Sequence, residues 1–122
     1  MRIVLSGGGT AGHINPALAL AETLEEQGHE VFYAGTPQGV EARLVKEAGL
    51  PFKAFEASGF DRAHPLTLPK ALRTIQKSTK RAKEWFADIK PDVVVAFGGY
   101  VCIPVSRAAE ALGIPLVIHE QN

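Results

Sequence analysis

The sequence predicts an α/β fold, a Rossmann-like doubly wound parallel sheet, on three observations. Short apolar runs alternate with longer segments of helical period. The runs are continuously apolar, as in strands covered on both faces. Glycine stands just after several of the helical segments, where a left-handed C-terminal cap is wanted.

In chain order the first strand reads Ile3 to Ser6, and a helix from Pro16 to Gln27 follows it. Glu30 to Ala34 is the second strand, Gly39 to Ala48 the second helix, and Phe52 to Glu56 the third strand. A long helix over Thr67 to Ala87 leads to the fourth strand, Asp92 to Ala96; a last helix, Pro104 to Leu112, precedes the fifth, Leu116 to His119. Gly28, Gly49 and Gly113 are the expected C-terminal caps. Pro16 and Pro104 are placed in first turns, where a missing N–H costs nothing. Right-handed crossovers then put the ligand crevice outside the carboxyl ends of the strands, with the first and fourth strands adjacent at the switch point.

The 122 residues form one domain with a sizeable core. Zero formal net charge names no partner by itself. The single cysteine, Cys102, excludes an internal disulfide and offers no zinc-ligand spacing, which fits a reducing compartment. The amino terminus has too short an apolar run for a signal peptide, and no segment approaches the roughly 18 to 20 apolar residues of a membrane span.

Two glycine loops carry the chemistry. Gly7-Gly8-Gly9-Thr10-Ala11-Gly12-His13 follows the first strand, and Phe97-Gly98-Gly99-Tyr100-Val101-Cys102-Ile103-Pro104 follows the fourth. Glycines let backbone N–H groups approach an anionic or sugar ligand, and a helix amino terminus adds a favourable dipole. A tight ligand-free turn is the plainer reading of the first loop, but six small residues exceed what a turn needs. The spacing Gly7, Gly9, Gly12 also fits the dinucleotide fingerprint of an NAD(P)-dependent oxidoreductase. That reading wants an acid at the end of the second strand, where Phe32-Tyr33-Ala34-Gly35-Thr36 stands instead. No Gly-Lys-Ser/Thr follows the glycines, so a Walker A loop is excluded. His13 is the candidate general base or acceptor-positioning group. The fifth strand brings His119, Glu120, Gln121 and Asn122 to the same edge; either His119 or Glu120 is as readily a satisfied polar group, and Glu120 could brace a loop.

GGGTAGHINPALALAETL, FGGYVCIPVSRAAEALGIP and IHEQN together resemble the peripheral glycosyltransferases that add N-acetylglucosamine to the lipid-linked muramoyl-pentapeptide precursor of peptidoglycan. The resemblance spans essentially the whole chain. It implies the amino-terminal, acceptor-binding half (1–122) of a two-domain GT-B enzyme of cell-wall biogenesis, with the carboxy-terminal donor-binding domain outside this chain. It further implies an inverting, metal-independent mechanism with no cofactor, and UDP-N-acetylglucosamine as donor. Thr10, Ala11, Gly12 and Asn122 would contact the donor. His13 would deprotonate the acceptor hydroxyl. Gly8, Gly9, Gly98, Gly99 and Tyr100 would hold the acceptor's diphosphate, and His119, Glu120 and Gln121 would line its pocket. The pattern departs from the family at Ala11, where glycine is usual, and at Cys102-Ile103, in place of Ser-Gly. An isolated half would not turn over; the other reading within the class is a non-catalytic, membrane-recruiting half of a two-chain glycosyltransferase.

From Arg62 to Lys83 lie Arg62, Lys70, Arg73, Lys77, Lys80, Arg81 and Lys83, seven of the thirteen basic residues, with no acid among them. A helical wheel puts Leu68, Leu72, Ile75, Ala82 and Phe86 on one face and Lys70, Arg73, Lys77, Lys80 and Arg81 on the other, with Trp85 beside the basic face. A solvated outer helix explains the apolar stripe. The charge also suits an anionic membrane surface, with Leu66, Leu68 and Trp85 as candidates for shallow insertion at the cytoplasmic face of the plasma membrane. Nucleic acid is disfavoured as a partner, since no aromatic residues interleave the basic stripe.

Overall fold

A computed structural model describes residues 1–57 and 63–119. Glu120, Gln121, Asn122 and Arg62 lie outside the described residues. The strands are β1 (Arg2–Ser6), β2 (Glu30–Gly35), β3 (Phe52–Ala54), β4 (Val93–Ala96) and β5 (Leu116–Ile118), and the helices are α1 (Ala11–Glu26), α2 (Val40–Glu47), α3 (Leu68–Ile89) and α4 (Cys102–Ala111). All pairings are parallel, in the order β3-β2-β1-β4-β5. The order reverses between β1 and β4, whose last residues, Ser6 and Ala96, are register partners. This is the predicted switch point, with two strand-to-helix loops leaving the same edge.

Alternation along the central strands builds a core on each face of the sheet. Ile3, Leu5, Val31 and Tyr33 pack with Ala17, Ala21 and Val45 of α1 and α2. Val4, Ala34, Val94 and Ala96 pack with Ala82 and Phe86 of α3 and with Val105 and Ala108 of α4. Strands covered this way have no polar face to show, which is why their sequences run continuously apolar. Gly28, Gly49 and Gly113 have φ of +89°, +78° and +70°, as helix-ending glycines require.

Two helix starts differ from the sequence expectation. α1 begins at Ala11, so Pro16 lies inside it and Gly12 and His13 belong to its first turn. The buried stripe Ile14, Ala17, Ala21 starts ahead of the proline, and its burial outweighs the one helical bond that the ring removes from the Gly12 carbonyl. Likewise α4 begins at Cys102, two residues before Pro104, because Cys102, Pro104 and Val105 are all buried.

The long helix α3 is turned differently from its helical wheel. Ala71, Ser78, Ala82 and Phe86 form its buried line. Leu72, expected in the core, is 50 % exposed, alongside Leu66 at 93 % and Leu68 at 38 %. Trp85, expected beside the basic face and available for insertion, is packed inward: its ring lies 5.7 Å from Phe55, 5.5 Å from Phe86 and edge-on to Phe32 at 6.3 Å. Small residues at 71, 78 and 82 let the helix sit close to the sheet, and the larger side chains at 68 and 72 are rotated outward. The Arg81 guanidinium lies over the Phe55 ring at 5.5 Å.

Candidate active site

At the carboxyl edge of β1 and β4 the two glycine bends touch. The Gly8 N–H donates to the Gly98 carbonyl at 3.1 Å, and the Phe97 N–H to Ser6 O at 2.8 Å. Gly99 has φ +95°, and a Cβ there would lie 2.4 Å from the Gly8 carbonyl oxygen. Only glycine allows this approach, on both conformational and steric grounds. Gly9 (φ +87°) and Gly98 (φ +118°) also occupy the left-handed region.

Buried side chains hold the bends from below. The Tyr33 hydroxyl donates to Gly7 O at 2.9 Å, and Ser6 Oγ donates to Ala34 O at 3.1 Å. Cys102 Sγ, at the start of α4, lies 3.3 Å from both Ser6 O and Gly98 O, so the thiol ties the second bend to the end of β1. Its proton is held more tightly than in water, because burial pushes the thiol pKa up against the lowering effect of its hydrogen-bond contacts with Gly98, Ser6 and Phe97. The Tyr33 hydroxyl is raised too, by burial first, then by the charges of Glu41 and Cys102. Ala11 is helical and outside the positive-φ residues, so its methyl group strains nothing. Ile103, the other departure, is 40 % exposed and lines the cleft.

His13 projects from the first turn of α1 into the gap between the bends. Its Nδ1 lies 2.9 Å from Gly8 O. A carbonyl only accepts, so Nδ1 carries the hydrogen and Nε2 keeps the lone pair in the neutral ring. Gly98 makes room for this ring, since a Cβ there would lie 2.9 Å from Nε2. A cavity of about 570 Å³ opens beside it, lined by His13, Phe97, Gly98, Ile103, Arg107 and His119 among others. The His119 ring packs against Phe97 at a 50° tilt with centroids 5.3 Å apart, and the His119 backbone N–H donates to Ala96 O at 2.9 Å. A larger open groove, about 680 Å³, lies away from both bends, lined by α1 residues with Ala48 and Leu50.

Of the residues expected at this site, Gly8, Gly9, Thr10, Ala11, Gly12, His13, Gly98, Gly99, Tyr100 and His119 all lie at the one sheet edge. Thr10 is the N-cap of α1 but makes no side-chain capping bond. Tyr100 is 58 % exposed beside the second bend. Three groups were missed by sequence reasoning: Glu41, fully buried below Gly8; the Tyr33 hydroxyl; and Arg107 on the cavity wall. Arg107 sits five residues into α4, a spacing that would have placed it on the turn following the second bend. Nothing in the local sequence around Glu41 distinguishes it from a solvated first-turn glutamate. Among the described residues no group of three His, Cys, Asp or Glu is placed to hold a metal ion.

The glycosyltransferase family 28 N-terminal domain model matches residues 3–122. The chain belongs to that family. A relative from Bacillus licheniformis is 48% identical over 124 residues, and one from Listeria monocytogenes serovar 1/2a is 47% identical over 124. Both are named UDP-N-acetylglucosamine--N-acetylmuramyl-(pentapeptide) pyrophosphoryl-undecaprenol N-acetylglucosamine transferase; each alignment takes in 100% of this chain and 34% of the relative. The chain thus spans about a third of the length of these relatives. The crystal structure of Acinetobacter baumannii MurG superposes with a TM-score of 0.86 at 37% identity, covering 99% of this chain and 35% of that one. A hydrogenase C-terminal domain from Pyrococcus furiosus also superposes, with a TM-score of 0.63 at 16% identity, and shares the fold alone. The family assignment sets aside the dinucleotide reading of the first loop. The oxidoreductase acid is missing, and the nearby Glu41 is turned inward to Thr36.

Proposed function

We propose that this chain is the acceptor-side half of an inverting transferase that moves N-acetylglucosamine from UDP-N-acetylglucosamine to the lipid-linked muramoyl-pentapeptide. One observation carries the reading: His13, its Nδ1 committed to Gly8 O, offers Nε2 beside two joined glycine bends in a family 28 domain. In this reading Nε2 takes the proton of the acceptor hydroxyl as its oxygen attacks the anomeric carbon. The bond from that carbon to the UDP oxygen breaks on the opposite side, its electrons leaving with UDP, and the centre inverts. The amides around Gly8, Gly9, Gly98 and Gly99, with Tyr100, hold the acceptor's diphosphate, and Arg107 adds a positive charge on the cavity wall. Thr10, Ala11, Gly12 and Asn122 meet the donor, and His119, Glu120 and Gln121 line the acceptor pocket. In this reading the imidazole supplies the base, and no metal or other cofactor takes part. A carboxy-terminal donor-binding domain completes the cleft, since orientation of both substrates provides much of the rate.

The acceptor's lipid requires a membrane surface, and α3 supplies a basic one. Lys70, Arg73 and Lys77 line a groove of about 520 Å³ with Leu66. In this reading Leu66, Leu68 and Leu72 enter the headgroup region of the cytoplasmic leaflet while Lys70, Arg73, Lys77 and Lys80 meet anionic lipid. Among the described residues no helix is long and apolar enough to cross a membrane.

The test joins residues 1–122 to the carboxy-terminal two thirds of the Listeria relative and measures N-acetylglucosamine transfer to a lipid-diphosphate muramoyl acceptor. Transfer is expected from the joined protein and not from the 122-residue chain alone. His13→Ala should lower kcat by about a hundredfold or more. Undiminished transfer without the imidazole would remove His13 as the base, and a joined, folded protein without transfer would sink the proposal.

A further inference from the structure

We propose that Glu41 is a positioning residue for His13, acting through the first glycine bend. Glu41 lies in the first turn of α2 and is wholly buried. Among the described residues it is the one carboxyl removed from solvent; the other buried polar residues are Ser6 and Ser78. Its Oε1 accepts the Thr36 N–H at 2.8 Å and also the Thr36 hydroxyl, which pins the chain just beyond β2 to α2. Its Oε2 has no hydrogen-bond partner among the described residues. A core side chain of the same volume would fill this space without leaving an oxygen unsatisfied. The carboxyl is therefore an expensive way to fill a hole.

What surrounds it supplies the reason. A Cβ at Gly8 would lie 2.5 Å from Glu41 Oε1, one at Gly39 2.1 Å from Oε2, and one at Gly35 2.6 Å from Cγ. Glycines from three different segments thus clear the space that this one side chain occupies. Gly8 is also the node of the cleft. Its carbonyl meets His13 Nδ1, its N–H bonds Gly98 O, and Gly99 packs against its carbonyl. With the carboxyl below and the imidazole above, Gly8 cannot shift without disturbing the ring. Glu41 so fixes where the Gly8 carbonyl points, and that carbonyl fixes which nitrogen of His13 carries the hydrogen. The catalytic consequence rests on the transferase reading, whereas the tautomer does not.

The test has two arms. In the 122-residue protein, long-range ¹H–¹⁵N spectra of the neutral His13 ring report the tautomer directly. The Nδ1-protonated form should dominate in the unsubstituted chain and in Glu41→Gln, which keeps the acceptor for Thr36 and the bulk beneath Gly8. It should give way to a tautomer mixture in Glu41→Ala. In the joined enzyme, Glu41→Ala should lower kcat at least tenfold and change KM for either substrate less than twofold, with Glu41→Gln restoring most of the rate. A Glu41→Ala protein that keeps the Nδ1-protonated ring, or that loses thermal stability alone, overturns the proposal. Should Glu41→Ala fail to fold, Glu41→Val withdraws both carboxyl oxygens from beneath Gly8 while filling part of the space. A mixed tautomer there supports the proposal, and an unchanged one overturns it. Absence of transfer in the unsubstituted joined enzyme would count against the transferase reading and leave the spectra to decide the role of Glu41.

Discussion

Two protons under the cleft are held where water cannot share them, on Tyr33 and on Cys102. For both acids the fold prefers the neutral form, so the folded pKa lies above the unfolded one, whose ordinary values are 10.0 and 9.0. The stability they contribute is whole below about pH 9 and is lost as the pH rises beyond it, because the unfolded chain then releases protons that the native state keeps. Urea unfolding between about pH 8 and 11 should show this decline, and Tyr33→Phe should flatten its upper part. An identical decline in Tyr33→Phe would assign the effect to other groups. The substitution itself costs about 1 to 2 kcal/mol by leaving Gly7 O unsatisfied. Glycines divide by a similar logic. Gly99→Ala meets both a positive φ and the Gly8 carbonyl at 2.4 Å. Gly28→Ala meets a positive φ with nothing within 4 Å. The first should lose about 2 to 4 kcal/mol and the second about 1, read from denaturant midpoints. Equal losses would mean that the contact between the bends contributes nothing. Gly7 to Gly12 announced the cleft in the sequence, whereas Glu41 did not. Burial of a carboxyl depends on chain segments that only the fold brings together.

At the scale of elements, α3 shows what a helical wheel can and cannot settle. The period of the pattern correctly marked a helix with one basic side, yet the buried line runs through Ala71, Ser78 and Ala82 and leaves Leu72 outside. A wheel ranks residues by hydrophobicity, but close packing on a sheet selects small side chains where the backbones approach. The outward leucines and their basic neighbours make the membrane proposal testable without touching the core. Lys70→Gln, Arg73→Gln and Lys77→Gln together should weaken binding to vesicles containing anionic lipid by roughly a hundredfold, at about 1 kcal/mol for each charge lost. The melting temperature should hardly move. Unchanged vesicle affinity would remove the docking face. Arg81 is left out of this set because its stacking on Phe55 mixes charge with packing.

Across the whole molecule, the sheet order places β2, β1 and β4 inside the sheet, with paired neighbours on each side and helices over both faces. Their amides should exchange with solvent most slowly, and those of the edge strands β3 and β5 faster by tenfold or more; uniform protection by hydrogen-exchange mass spectrometry would contradict this layout. The sequence by itself determined the parallel α/β sheet, its five strands, the glycine bends and the place of His13. These depend on local patterns: apolar runs, helical period, and residues that only certain backbone angles accept. Tertiary structure alone decided the starts of α1 and α4, the inward turn of Trp85 and the bond between the two bends. It also decided the burial of Glu41. Each of these depends on which distant segments share a volume, and a linear pattern carries no distance between Gly8, Glu41 and Gly98 until the sheet sets them side by side.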